Sequence, residues 1–199
     1  YQFFVVQSDK INAFAVPGGY IGLNIGLIIL SENEAQLAGV VSHEIAHIKL
    51  RHSAEMIASA NMSSIPMWIG IIAGIFAGSP QASMAALKAG IGLSAQMNVN
   101  LIRENEIEAD DYGVEIMHKA NYDLSEMANF FDNMENSSGE ISRSLEYLST
   151  HPMYENRIAN IQNRSSVQNN PMKNSTDDYL YIKNILSVSI VSDINKNIK

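Results

Sequence analysis

Within five residues, His43-Glu44-Ile45-Ala46-His47, the chain sets two imidazoles and a carboxylate at a spacing that suits metal chemistry. On a helix, residues four apart share a face and sit about one turn from each other. Two such imidazoles can reach a single Zn²⁺ at ~2.0–2.1 Å. Glu44 follows the first histidine, about 100° further round, beside the metal's open position. There it can take a proton from a water molecule that the metal acidifies to a pKa of ~7. The chemistry implied is metal-assisted hydrolysis of a peptide bond. A five-residue pattern also occurs by chance, so the rest of the chain must supply what the motif lacks.

What it lacks is a third protein ligand. A motif extended to HExxHxxGxxH would need glycine at 50 and histidine at 53, but the chain has Leu50 and Ser53. His52 is one residue short of that position and about 180° round a continuous helix from His43, so it is expected as a surface or helix-end histidine. The alternative source is a glutamate on a second helix, within Glu104-Asn105-Glu106-Ile107-Glu108-Ala109-Asp110. Spacing alone leaves Glu104, Glu106 and Glu108 in competition. Glu106 has one advantage, because Asp110 projects from the same face one turn later. Asp110 could accept the free N–H of a zinc-bound histidine and fix its tautomer. A solvated acidic helix face is the plain alternative for this segment. His118, about 120° off the Glu106 face, is expected to be structural.

The elements that must position these groups can be read in outline. Phe3 to Val6 and Ala13 to Asn24 have strand composition, with Pro17-Gly18-Gly19 as a sharp break in the second. Ser31-Glu32-Asn33-Glu34 matches a capping box, so a helix is expected from near Glu32 to about Ala60. Its stripe Leu37, Val41, Ile45, Ile48 supplies a core face. A second long helix is expected from about Gln81 to His118, broken near Gly90 and Gly92. Asp123 and Glu126 again match a capping box, for a helix to about Met134. Residues 136–139 read as a loop. A short helix is expected before Thr150-His151-Pro152, and another from Tyr154 to Arg164. Residues 165–176 read as a polar linker, and Asp177 to Ile194 has no decided conformation.

Composition narrows the class. The chain has 199 residues, 46% hydrophobic, enough for one well-buried domain with an appendage. A net charge of −8 argues against nucleic acid as a partner. With no cysteine, zinc must be held by histidine and carboxylate. The chain begins Tyr1-Gln2-Phe3-Phe4 without a signal segment, as expected if it starts inside a longer protein. Between Glu55 and Arg103 the only charge is Lys88, and Ile65 to Gly78 is strongly apolar. That stretch is short of the ~20 residues of a membrane span. It reads either as a helical hairpin covering the active-site side or, given Trp68 and the methionines, as a membrane- or partner-facing hairpin.

Four segments together resemble metallopeptidase family forty-eight, a group of gluzincin zinc endopeptidases. They are Asn12 to Ile21 with its Asn-Ala-Phe-Ala-Val-Pro-Gly-Gly run, His43 to His47, Glu106 to Gly113, and Thr150-His151-Pro152 with Arg157 behind it. They occur in the family's order across about residues 3–160, nearest the envelope-associated bacterial branch. The resemblance implies a mainly helical α+β domain with a small sheet beside the HExxH helix, over residues 1–164. Residues 165–199 would then be a linker and the start of a helical repeat region. It implies one Zn²⁺ held by His43, His47 and Glu106, with Glu44 as base and Asp110 behind a ligand. It also implies that His151 lies near the metal, either as a fourth ligand that blocks the site or as an oxyanion donor. Tyr154 and Arg157 are weaker candidates for the oxyanion or substrate-carbonyl role.

The reading that follows is a zinc metalloendopeptidase of the bacterial periplasm or cell envelope. It would act in protein quality control on unfolded or misassembled polypeptides bound as extended strands. Residues 65–96 would supply any membrane or envelope-complex contact. One rival is a self-inhibited, chaperone-like zinc-binding protein on the same fold. Another is a zinc hydrolase for a non-peptide substrate.

Overall fold

The computed structural model describes residues 1–16, 18–63, 65–66, 69–70, 73, 80–136, 147–154, 156–166 and 173–197. These form two bodies, Tyr1–Leu50 with Ile107–Lys199, and Arg51–Glu106. The fold is mainly helical α+β with one small mixed sheet, as expected.

In the first body, aromatic and β-branched residues favour strand geometry in β1 (Gln2–Val6), and β2 (Ala13–Val16) and β3 (Tyr20–Asn24) complete the sheet. The order is β1-β3-β2, with β3 parallel to β1 and antiparallel to β2. The expected break in the second strand is a hairpin turn. Gly18 and Gly19 adopt φ of +100° and +86°, where an L side chain would be strained. Pro17 lies outside the described residues.

Helix α1 (Ile25–Leu30) follows directly and ends at Ser31, whose hydroxyl donates to the Leu27 carbonyl at 3.0 Å. Ser31 therefore closes one helix rather than opening the next. Helix α2 (Glu34–Leu50) is capped by Asn33, whose Oδ1 accepts the Gln36 N–H at 2.9 Å. Glu34 does not reach back as a capping box requires. Its carboxylate accepts from the Thr176 N–H at 2.8 Å and the Tyr122 hydroxyl at 2.6 Å. That choice ties the start of α2 to a segment 142 residues away.

The expected stripe Leu37, Val41, Ile45, Ile48 packs on the core but stays half-buried. The deeper face is Ala35, Gly39, Val40, Ser42, His43 and Ala46. Helix α2 also stops before Ala60. Arg51 takes a left-handed φ of 63°, and a separate helix α3 (His52–Ser63) begins after it.

Helix α4 (Pro80–Lys119) runs unbroken for 40 residues through Gly90 and Gly92, contrary to expectation. Its last turns belong to the first body and pass close to α2. A Cβ at Gly113 would lie 3.3 Å from the His43 backbone nitrogen, so a larger residue would push the two helices apart. Helix α5 (Ser125–Asn136) is started by Asp123, whose Oδ1 accepts from the Ser125 N–H at 3.0 Å. Glu126 bonds Asn33 and Gln36 across the fold instead of completing a box. A helical turn at 147–150 precedes His151. Helix α6 (Arg157–Ser165) starts three residues later than expected, after Asn156 at φ 75°. The undecided C-terminal segment is helix α7 (Asp177–Asn197). Its entry is fixed by Tyr179, whose hydroxyl donates to the Ser31 carbonyl at 3.0 Å.

The core joins Ile21, Leu23, Leu27, Val40, Met117, Met127, Phe130, Phe131 and Tyr147. In the second body, Met62 on α3, Ile65 and Ile69 after it, and Met84, Ile91 and Leu93 on α4 are exposed. Trp68 and most of the apolar stretch 65–78 lie outside the described residues. No described helix is long and apolar enough to cross a membrane.

Candidate metal centre

The site grows from the buried face of α2. His43 is fully buried, and its Nδ1 lies 3.0 Å from Asp110 Oδ1 on α4. A carboxylate accepts, so this contact holds the proton on Nδ1 and leaves the Nε2 lone pair bare. That lone pair faces His47 Nε2 at 2.9 Å and His151 Nδ1 at 3.2 Å. The side chains of His43, His47, Glu106 and His151 each offer a ligand atom, and these atoms all lie within 4.8 Å of one another. Three ring nitrogens and a carboxylate converging in a buried space repel through their lone pairs unless a cation or protons sit among them. The donor set is nitrogen and oxygen with no thiolate, which suits Zn²⁺. The residues present therefore fit the metal.

Glu44 is 1% exposed and stands beside this group rather than in it, with Oε1 3.3 Å from His151 Nε2. The three competing glutamates are separated by burial. Glu106 is buried while Glu104 and Glu108 are exposed.

Behind these side chains stands a buried ion pair. Arg157, 2% exposed, donates from Nε to Asp110 Oδ2 at 2.7 Å and from Nη2 to Asp110 Oδ1 at 2.8 Å. Its Nη1 donates to the Pro152 carbonyl at 2.9 Å. Burial pushes the Asp110 carboxyl up, but the Arg157 and His43 contacts outweigh it and hold the group below its ordinary value. Asp110 therefore faces both residues as a carboxylate.

His151 is held by its own local turn and by aromatic packing. Its N–H donates to the Tyr147 carbonyl at 2.8 Å, and its ring stacks on Tyr147 with centroids 4.6 Å apart. Tyr147 stacks in turn on Phe131, and the Arg157 guanidinium lies 5.3 Å over the Phe131 ring. Tyr147 and Phe131 were not singled out from the sequence. A signal for Tyr147 existed, since it lies four residues before His151 and so shares its side of a helical turn.

The remaining candidates fall outside the metal group. Tyr154 is half-buried in the loop before α6, where its carbonyl accepts the Arg157 N–H at 3.2 Å. His118 is exposed in the last turn of α4. Of the two places expected for His52, surface or helix end, it takes the second, standing as the first residue of α3 and only 2% exposed. The expectation assumed one continuous helix, and the Arg51 break removes that assumption.

Comparison with known proteins agrees with this site. The model of peptidase family M48 matches residues 1–165. The chain is 34% identical over 185 residues to the beta-barrel assembly-enhancing protease of Escherichia coli K12, covering 92% of this chain and 38% of that protein. It is 36% identical over 168 residues to a putative beta-barrel assembly-enhancing protease of Vibrio cholerae, covering 83% of this chain and 34% of that protein. It is also 30% identical over 162 residues to the mitochondrial metalloendopeptidase OMA1 of Schizosaccharomyces pombe, covering 81% of this chain and 46% of that protein. The chain thus spans less than half the length of these relatives. The resemblance read from four motifs is borne out: this chain belongs to peptidase family M48.

Proposed function

We propose that this chain carries the catalytic domain of a zinc metalloendopeptidase that cleaves unfolded or misassembled polypeptides. The observation that carries the proposal is the buried convergence of His43, His47 and Glu106 beside Glu44, with Asp110 on the far nitrogen of His43. Residues 1–164 are the peptidase domain in this reading, and 165–199 a linker and C-terminal segment.

His43, His47 and Glu106 would hold one Zn²⁺. When bound, the metal supplies Lewis acidity that polarises a carbonyl and acidifies water. Glu44, buried where its carboxylate can act as a base, takes a proton from the attacking water and passes it to the leaving amine. Asp110 keeps His43 in the tautomer that presents Nε2. The polypeptide is proposed to add as an extended strand to the sheet. Support comes from β2, a terminal strand of the order β1-β3-β2 that packs against α2.

The relatives' names connect the bacterial ones with β-barrel assembly, and they support a role in quality control in the periplasm or cell envelope. The exposed apolar residues of the second body, including Ile69, Met84 and Leu93, support a membrane or envelope-complex contact through residues 65–96.

A second reading has its own observation. His151 Nδ1 faces the same point as the His43 and His47 nitrogens, and its other nitrogen faces Glu44. In that arrangement His151 is a fourth ligand and the domain is self-inhibited, acting as a zinc-bearing chaperone until His151 withdraws.

One paired experiment tests both. Zinc is measured per chain, and cleavage of an unfolded protein is followed for wild type, Glu44→Gln and His151→Ala. The peptidase reading expects one zinc per chain and a loss of about 10²–10⁴-fold in Glu44→Gln with zinc retained. A faster His151→Ala favours the self-inhibited reading, and a slower one favours an oxyanion donor. Absence of zinc from wild type, even after refolding with the metal, would sink the metal assignment.

A further inference from the structure

Arg157 joins two parts of the site that the chain keeps far apart. One edge of its guanidinium, Nε and Nη2, holds both oxygens of Asp110, 47 residues away in sequence. The third nitrogen, Nη1, holds the carbonyl of Pro152, the residue next to His151. Asp110 in turn contacts Nδ1 of His43 at 3.0 Å. Three coplanar N–H groups at fixed angles thus set the distance from a metal ligand's carboxylate partner to the backbone beside His151. Only a guanidinium has this geometry; a lysine ammonium can satisfy Asp110 but not span both acceptors at once. The plane is itself held, because Phe131 lies under the guanidinium and stacks on Tyr147, which stacks on His151.

We propose that Arg157 is a positioning residue that sets the reach of His151 toward the metal ligands by bracketing Asp110 and the Pro152 carbonyl with one guanidinium. This rests on the second zinc reading above, in which His151 is a fourth ligand. It differs from a salt bridge that merely stabilises the fold, because it makes the contribution of His151 conditional on Arg157.

The test is a double-mutant cycle on the whole chain with wild type, Arg157→Lys, His151→Ala and the double variant. The zinc dissociation constant is read by chelator competition, and thermal unfolding of the metal-free proteins reports folding. Arg157→Lys is expected to fold and to weaken zinc about tenfold, within the ~10–100-fold range for partners of metal ligands. His151→Ala is expected to change zinc affinity at least tenfold in the wild-type background and less than about threefold in the Arg157→Lys background. Effects that multiply to within about twofold would overturn the proposal and leave Arg157 as a structural ion pair.

Should Arg157→Lys fail to fold, Arg157→Met with Asp110→Asn takes its place. It removes both charges together, strands neither, and keeps an oxygen for His43 Nδ1. In that background too, His151→Ala is expected to lose most of its effect, and a full effect would overturn the proposal. A wild type that binds no zinc would instead overturn the metal reading and the proposal with it, so the two failures are distinguishable.

Discussion

Two regions of this chain treat polarity in opposite ways. In the first, the group around His43, charged and polar side chains are buried and contact one another. His43, Glu44, Asp110 and Arg157 are all within 4% of full burial. In the second, the described residues from Met62 to Val99, large apolar side chains such as Ile69 and Leu93 stand about 60% exposed. Burying charge costs free energy that is recovered only when geometry is set, so it marks the place where geometry matters. Exposing apolar surface costs free energy that is recovered only on contact, so it marks a place where something else docks.

That contrast can be broken from either side. The largest effect is expected from Asp110→Ala, which leaves Arg157 buried without its partner and His43 without its acceptor. The metal-free protein should lose about 3–5 kcal/mol in urea unfolding. Zinc affinity should fall about 10–100-fold by chelator competition. A variant as stable as wild type would show that the first body does not depend on its buried charges.

Next comes Glu34, at the start of the helix that carries both histidines. Burial opposes its ionised form, but hydrogen bonds from Thr176, Tyr122 and Lys173 outweigh that and bring its pKa from 4.5 to about 2. The folded state therefore binds this proton less readily than the unfolded chain. Its stabilisation is complete above about pH 4.5 and is lost as pH falls toward about 2. Urea unfolding of wild type and Glu34→Gln across that range should show a gap that closes with acid. A gap independent of pH would place the effect in packing rather than charge.

The smallest effect is expected in the second body. Ile69→Gln with Leu93→Gln should leave stability within about ±0.5 kcal/mol per site and zinc affinity unchanged. Binding to vesicles or to an envelope partner should fall. A large drop in unfolding free energy would show that these side chains belong to a core after all, and the contrast between the two regions would fail.

Much of the site was legible because it is local. His43, Glu44 and His47 share one helix, and Glu106 and Asp110 share another, so the helical period alone brings each set together. The sheet and its glycine turn were legible for the same reason. The errors arose where a local rule met a distant partner. Ser31 and Glu34 fit a capping box, yet Glu34 spends its carboxylate on Thr176 and Tyr122. Gly90 and Gly92 suggested a break, yet α4 continues through both. The burial of His52 was missed by counting round one helix, which the left-handed Arg51 ended first.

By itself, then, the sequence determined the candidate ligand types, their spacing and the class of chemistry, because these depend only on residue identity and helical periodicity. Tertiary structure decided which glutamate is buried beside the histidines, where His151 points, and what Arg157 holds. Those depend on contacts such as Arg157 with Asp110, 47 residues apart, and Glu34 with Thr176, 142 apart. No local period encodes them, since they form only when helices distant in the chain pack together and buried polar groups must find partners.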